Sequence, residues 1–194
     1  MKTEIEAKFL SVDLDEVRAK LTQLGAKCVK PMRLMRRVTI DGVDMKAKDA
    51  FLRVRDEGDK VTLAYKQFDE ASVSGTKEIE VEVENFEDTV HILEQSGLPH
   101  GSFQESKREN WELNCVEIML DEWPWLDPYV EIEADEEGKV KNLAAKLGFN
   151  WQDAVFGDVM AAYRVQYPHL KETDTVGNIA EVKFDQPLPD LFKP

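Results

Sequence analysis

The first ten residues, Met1-Lys2-Thr3-Glu4-Ile5-Glu6-Ala7-Lys8-Phe9-Leu10, decide how the rest of the chain is read. Side chains alternate along a strand, so Glu4, Glu6 and Lys8 share one face while Ile5, Ala7 and Phe9 share the other. Two carboxylates two residues apart can share one hard divalent cation, and an ammonium beside them suits a phosphate. Taken alone, the same alternation is the wet face of an ordinary sheet.

The pattern returns along the chain. In residues 36–41, Arg37, Thr39 and Asp41 fall on one face; in 51–55, Arg53 and Arg55 stand opposite Leu52 and Val54. A turn at Gly58-Asp59 makes a hairpin into 61–66, where Thr62, Ala64 and Lys66 share a face. Glu78, Glu80, Glu82 and Glu84 alternate with Ile79, Val81 and Val83. Residues 106–113 and 115–121 read as a hairpin turning near Asn114, with Arg108, Glu117 and Asp121 on its charged face, and 129–133 carries Glu131 and Glu133. Between these strands, apolar residues at helical spacing predict helices over 14–24, 87–96, 136–147 and 153–167, the first three stopped by Gly25, Gly97 and Gly148 and the last by Pro168. A short strand over 179–184 is the one element predicted in the proline-bearing tail.

About seven strands thus repeat one arrangement: ions of both signs on one face, Ile, Val, Leu and Phe on the other, with helices to cover the apolar side. If such a sheet curls closed, its charged faces line the interior. Ions packed inside are costly unless they pair or bind something charged. Glutamates holding a divalent metal beside Arg and Lys holding a polyanion would satisfy both signs together. The alternative is an open antiparallel sheet with one solvated face laced by cross-strand ion pairs.

Composition narrows the partners. With 194 residues the chain can bury a proper core, and its net charge of -14 argues against nucleic acid or an anionic membrane as partner. No apolar run follows Lys2, so no signal peptide is predicted, no segment reaches the length of a membrane span, and the expected location is cytoplasmic. Cys28 and Cys115 form no CxxC pair, which favours free thiols. His91, His100 and His169 have no partner cluster, so surface or packing roles are expected for them.

The quoted residues resemble the CYTH superfamily, also called triphosphate tunnel metalloenzymes. Glu4-Ile5-Glu6-Ala7-Lys8 matches its ExExK signature, Leu52-Arg53-Val54-Arg55 its LRxR strand, and 62–66 the following strand that ends in lysine. Glu78 and Glu80 fit its paired glutamates, Arg108 with Trp111 its basic-then-aromatic strand, 121–133 its aspartate, turn and ExE strand, and Ala162-Tyr163-Arg164 its closing segment. Order and spacing hold from residue 4 to about 165. The resemblance implies an α+β fold: a closed, eight-stranded antiparallel barrel, a tunnel with charged interior and helices outside, over residues 1–168. Residues 169–194 would then be a C-terminal tail placed to close the tunnel, as a lysine near the end of the chain often does in the family.

The activity it implies is metal-dependent release of orthophosphate from a small-molecule triphosphate, by a monomer or homodimer. Glu4, Glu6, Glu131 and Glu133 would hold Mg²⁺ or Mn²⁺. Lys8, Arg37, Arg53, Arg55, Lys66 and Arg108 would hold the phosphates, Lys8 serving the chemistry as well, and Glu78 or Glu80 would orient or deprotonate the attacking water. Two features depart from the family. Ser106 stands where a second lysine is expected two residues before Arg108, and the closing lysine is either Lys171 or Lys183, of which Lys183 is carried with the phosphate-binding set. A class IV adenylyl cyclase, a thiamine triphosphatase and a non-catalytic polyphosphate- or nucleotide-binding module are the alternatives. The first lacks its His-Phe element here, because no histidine precedes His91. Glu82, Glu84, Glu117 and Glu122 are expected to form surface ion pairs.

Overall fold

A computed structural model describes residues 2–40, 42–68 and 76–193. Asp41, one of the residues aligned with Arg37 on a charged face, lies outside them, as does the side chain of Glu4. Among the described residues the chain runs β1 (Lys2–Phe9), α1 (Leu14–Gln23), β2 (Lys27–Ile40), α2 (Val43–Lys46), β3 (Ala50–Asp56), β4 (Val61–Phe68), β5 (Thr76–Val83) and α3 (Phe86–Gln95). It continues as β6 (Ser102–Leu113), β7 (Val116–Trp123), β8 (Leu126–Ala134), α4 (Glu137–Leu147), α5 (Val159–Gln166) and β9 (Glu181–Val182).

The fold is α+β. Eight antiparallel strands form one curled sheet in the order β2-β3-β4-β5-β1-β8-β7-β6, and β2 pairs with β6 as well as with β3. Short β9 adds to β6 in parallel. Helices cover much of the apolar side of the sheet. Ile5, Ala7 and Phe9 of β1 join α1 and α4 in one core, and Val38, Ile40 and Val54 pack with Phe86 and Val90 of α3 in a second. A third core gathers Trp123, Tyr129 and Tyr163 with Val176, Val182 and Phe192 of the C-terminal segment.

Local chemistry sets the boundaries. Asp13 and Asn85 cap α1 and α3 by accepting backbone N–H bonds, and Gly148 ends α4 in the left-handed conformation that a side chain would strain. Asn114 and Cys115 both take positive φ, the backbone of a tight two-residue hairpin, so β6 turns into β7 where the sequence predicts.

Three expectations need correction. The strand expected at 36–41 begins at Lys27, because its first half pairs with β6 across irregular register and lacks clean alternation. The helix expected over 153–167 is shorter: α5 starts after its Asp158 cap, since Val155 spends both its backbone groups on Lys8 and Gly157 turns the chain at φ 98°. No helix among the described residues covers the outer face of β5, where Ile79 and Val81 are about half exposed. Cys28 and Cys115 are free thiols. No helix among the described residues is long and apolar enough to cross a membrane.

Candidate active site

The charged faces of the sheet meet around a cavity of about 900 Å³. Its walls differ in sign. On one, register sets Lys8 opposite Glu131 and Glu6 opposite Glu133, with Glu117 of β7 beyond Glu133. Lys8 is only 3% exposed, and its ammonium lies 2.9 Å from Glu6 Oε1 and 3.1 Å from Glu131 Oε2 and donates to the Gly157 carbonyl at 2.7 Å. Burial alone would push Lys8 down, but Glu131 and Glu6 outweigh it and hold the ammonium above its ordinary value. Burial likewise works to raise Glu131, yet Lys8 and Arg108 bring it down to about 2. Arg108 grips Asp121 with two bonds of 2.7 Å and reaches Glu131 at 3.5 Å. Burial acts against its charge, and Asp121 more than restores it.

The facing wall, β2 to β5, is rich in cations. Arg37 donates to Ser106 Oγ at 2.7 Å and lies 4.5 Å over the Trp123 ring. Burial, then Arg53, Arg55 and Arg108, push its guanidinium well below the usual range. Arg53 pairs with Glu78 and Glu80 at 3.0 and 3.3 Å, and Arg55 with Glu57 at 2.6 Å and Glu80 at 3.4 Å. Burial and the neighbouring Arg53 still lower Arg55 to about 10. Lys66 sits 3.5 Å from Glu78. The buried Nε atoms of Arg37, Arg53 and Arg55 have no hydrogen-bond partner among the described residues. A buried charged donor left unpaired is expensive, so three of them on one wall, beside one another's charge, work against the fold.

Burial works to raise Glu80, but Arg55 and Arg53 hold its carboxylate below its ordinary value. A carboxylate so held is a weak base near neutral pH and a good anchor for a guanidinium.

Of the residues singled out from sequence, Glu6, Lys8, Arg37, Arg53, Arg55 and Lys66 line the cavity. So do Glu78, Glu80, Arg108, Glu131 and Glu133. Lys183 does not: it pairs with Glu181 at 2.7 Å and lies over Phe103. Ser106 serves Arg37, whereas Lys107 turns away to Glu122 and Phe184. Glu117, read as a surface residue, lines the cavity. Sequence reasoning missed Glu57, buried under Arg55, Arg33 and Lys30, and Asp158, the α5 cap, which also lines the cavity. Glu57 lies two residues beyond Arg55, so strand alternation was a signal available for it.

The acidic wall offers oxygen donors only, the set a hard divalent cation prefers. Among the described residues no three His, Cys, Asp or Glu are gathered closely enough to hold a metal ion, and the Lys8 ammonium stands between Glu6 and Glu131.

The CYTH domain family model matches residues 2–152. No curated protein matches the chain. Among solved structures, a conserved protein of Pyrococcus furiosus is 21% identical with a TM-score of 0.68, over 78% of this chain and 94% of that one. A candidate adenylate cyclase of Vibrio parahaemolyticus is 12% identical with a TM-score of 0.72, over 84% and 98%. A candidate adenylyl cyclase of Hippeastrum, described as having a dominant triphosphatase activity, is 16% identical with a TM-score of 0.57, over 84% and 96%. At these identities the likeness is one of fold.

Proposed function

The chain belongs to the CYTH domain family, and on that premise we propose that it is a divalent-metal-dependent triphosphatase, releasing orthophosphate from a triphosphate held in a closed, charge-lined tunnel. The observation that carries this reading is the crowding of the buried Arg37, Arg53 and Arg55 guanidiniums on one cavity wall, where each faces the charge of its neighbours. A linear polyanion lying along that wall would offset the crowded charge, and Arg forks suit bidentate phosphate contact.

In this reading Arg37, Arg53, Arg55, Lys66 and Arg108 bind and align the phosphates. Lys8, fixed by Glu6, Glu131 and the Gly157 carbonyl, presents a permanent positive charge beside them. Glu78 and Glu80 set the geometry of Arg53 and Arg55 and orient water; the depressed carboxyl of Glu80 favours orientation over proton abstraction. Glu6, Glu131 and Glu133, with Glu4, are the residues that would hold Mg²⁺ or Mn²⁺. The ion, when bound, offsets charge on the phosphoryl oxygens. Lys183, paired outside the cavity, is left out of the phosphate-binding set.

Product analysis with tripolyphosphate, ATP and thiamine triphosphate, each with Mg²⁺, Mn²⁺ or EDTA, tests the proposal. Metal-dependent orthophosphate is expected. Cyclic AMP with pyrophosphate would make the protein a cyclase, and binding without turnover would leave a binding module.

A further inference from the structure

Residues 155–158 lie just beyond the stretch that matches the family model, and three hydrogen bonds join them to Lys8. The Lys8 N–H donates to the Val155 carbonyl and the Val155 N–H to the Lys8 carbonyl, both at 2.9 Å. Two residues further on, the Gly157 carbonyl accepts from the Lys8 ammonium at 2.7 Å. One short turn therefore holds both the backbone and the side chain of a single residue of β1.

The turn is itself fixed on both sides. Phe156 packs against the core beneath β1 and lies 5.7 Å from the Trp151 ring. The Asp158 carboxylate accepts the Met160 N–H at 3.0 Å and starts α5. Between them Gly157 has a φ of 98°, which a side chain would strain, although a Cβ there would meet only Ala161 Cβ at 3.9 Å. Glycine at this position serves the direction of the backbone, and hence of its carbonyl, rather than a tight space.

An ammonium has three N–H donors, and those of Lys8 meet Glu6, Glu131 and Gly157. The three acceptors are not equivalent. The two carboxylates cancel the charge of the ammonium, and they are also residues proposed to hold the divalent ion. The carbonyl fixes the ammonium without cancelling its charge, and its backbone is held on both sides. We propose that Gly157 is a positioning residue for Lys8: its carbonyl is the acceptor that keeps the ammonium in the cavity wall when Glu6 and Glu131 serve the metal. This role rests on the triphosphatase reading, and Gly157 acts only through Lys8. With the carbonyl in place, an ammonium that gives up both carboxylates keeps a partner. Without it, the same exchange strips a buried ammonium of all three.

Calorimetric titration of the full chain with Mn²⁺, and separately with tripolyphosphate in metal-free buffer, tests this. Gly157→Ala should weaken Mn²⁺ binding roughly tenfold, the loss of one hydrogen bond to a charged group. It should leave tripolyphosphate affinity largely unchanged, because without metal the two carboxylates still hold Lys8. Gly97→Ala, at an equally positive φ of 84° with nothing within 4 Å of its Cβ, is the control for backbone strain alone and should leave both affinities as they are. In a Lys8→Met background the effect of Gly157→Ala on Mn²⁺ should vanish. An unchanged Mn²⁺ affinity in Gly157→Ala, an equal loss in Gly97→Ala, or a full effect without Lys8 would overturn the positioning role and leave the phosphate site standing. A wild-type chain that binds tripolyphosphate but no Mn²⁺ would overturn the metal-dependent reading and this role with it.

Discussion

The two walls of the cavity bury charge in opposite ways. On the β1–β8 wall, Lys8 sits among two carboxylates and a carbonyl, so the carboxylates already have an internal counter-ion. On the β2–β3 wall the cations crowd one another: Arg37 is depressed by burial and three other arginines, and no ion pair to it is found among the described residues. The first arrangement holds the fold together and would have to be loosened to take the metal proposed for it. The second works against the fold and would be relieved by the polyanion proposed for it. Removing a charge should therefore have opposite consequences on the two walls.

The largest effect is expected from Lys8→Ala. It leaves Glu6 and Glu131 facing each other without their cation, a loss on the order of 3–5 kcal/mol for breaking a buried pair. Chemical denaturation should show that loss together with loss of turnover; a variant that is inactive but fully stable would break the contrast. Next is Arg37→Met. Triphosphate affinity should fall by at least about tenfold, while the melting temperature holds or rises because a desolvated cation beside like charges has been removed. A melting temperature that falls as far as in Lys8→Ala would put both walls in the same class.

A third test uses pH. Burial works to raise Glu57, but Arg55, Lys60, Lys30 and Arg33 bring it down from 4.5 to about 2. A depressed carboxylate contributes stability that is complete above its ordinary value and is lost as pH falls through its folded value. Thermal unfolding should weaken between about pH 4.5 and pH 2, and Glu57→Gln should flatten that slope; an unchanged slope would show that Glu57 carries none of it. The smallest effect is expected on the outside of β5, where Val81→Thr should change stability by no more than roughly 0.5 kcal/mol, because Val81 is half exposed. A larger loss would mean that this face is covered.

Much of this contrast was legible in the chain. Alternation alone placed Glu6 and Lys8 together, Arg53 beside Arg55, and Glu78 beside Glu80, because strand geometry leaves a side chain only two directions. What alternation does not encode is which charge on one strand faces which on another. The contact of Lys8 with the Gly157 carbonyl spans 149 residues, and a helix predicted straight through 153–167 hid the turn that supplies it. The place of the C-terminal segment was illegible for the same reason: Thr173 and Asn178, which line the cavity, carry no periodic signal, and only the anchoring of 176–182 on β6 brings them there. Lys183 shows the converse, since a lysine at a plausible place in the chain points to Glu181 instead.

The most direct measurement is thermal unfolding of the wild-type chain in metal-free buffer with increasing tripolyphosphate, against sodium chloride at matched ionic strength. A ligand that binds only the folded state raises the transition by mass action. If the arginine wall awaits a polyanion, the melting temperature should climb with tripolyphosphate and not with chloride, and the climb should shrink in Arg37→Met. No climb in wild type, or an equal climb in Arg37→Met, would contradict the assignment of that wall as the phosphate site.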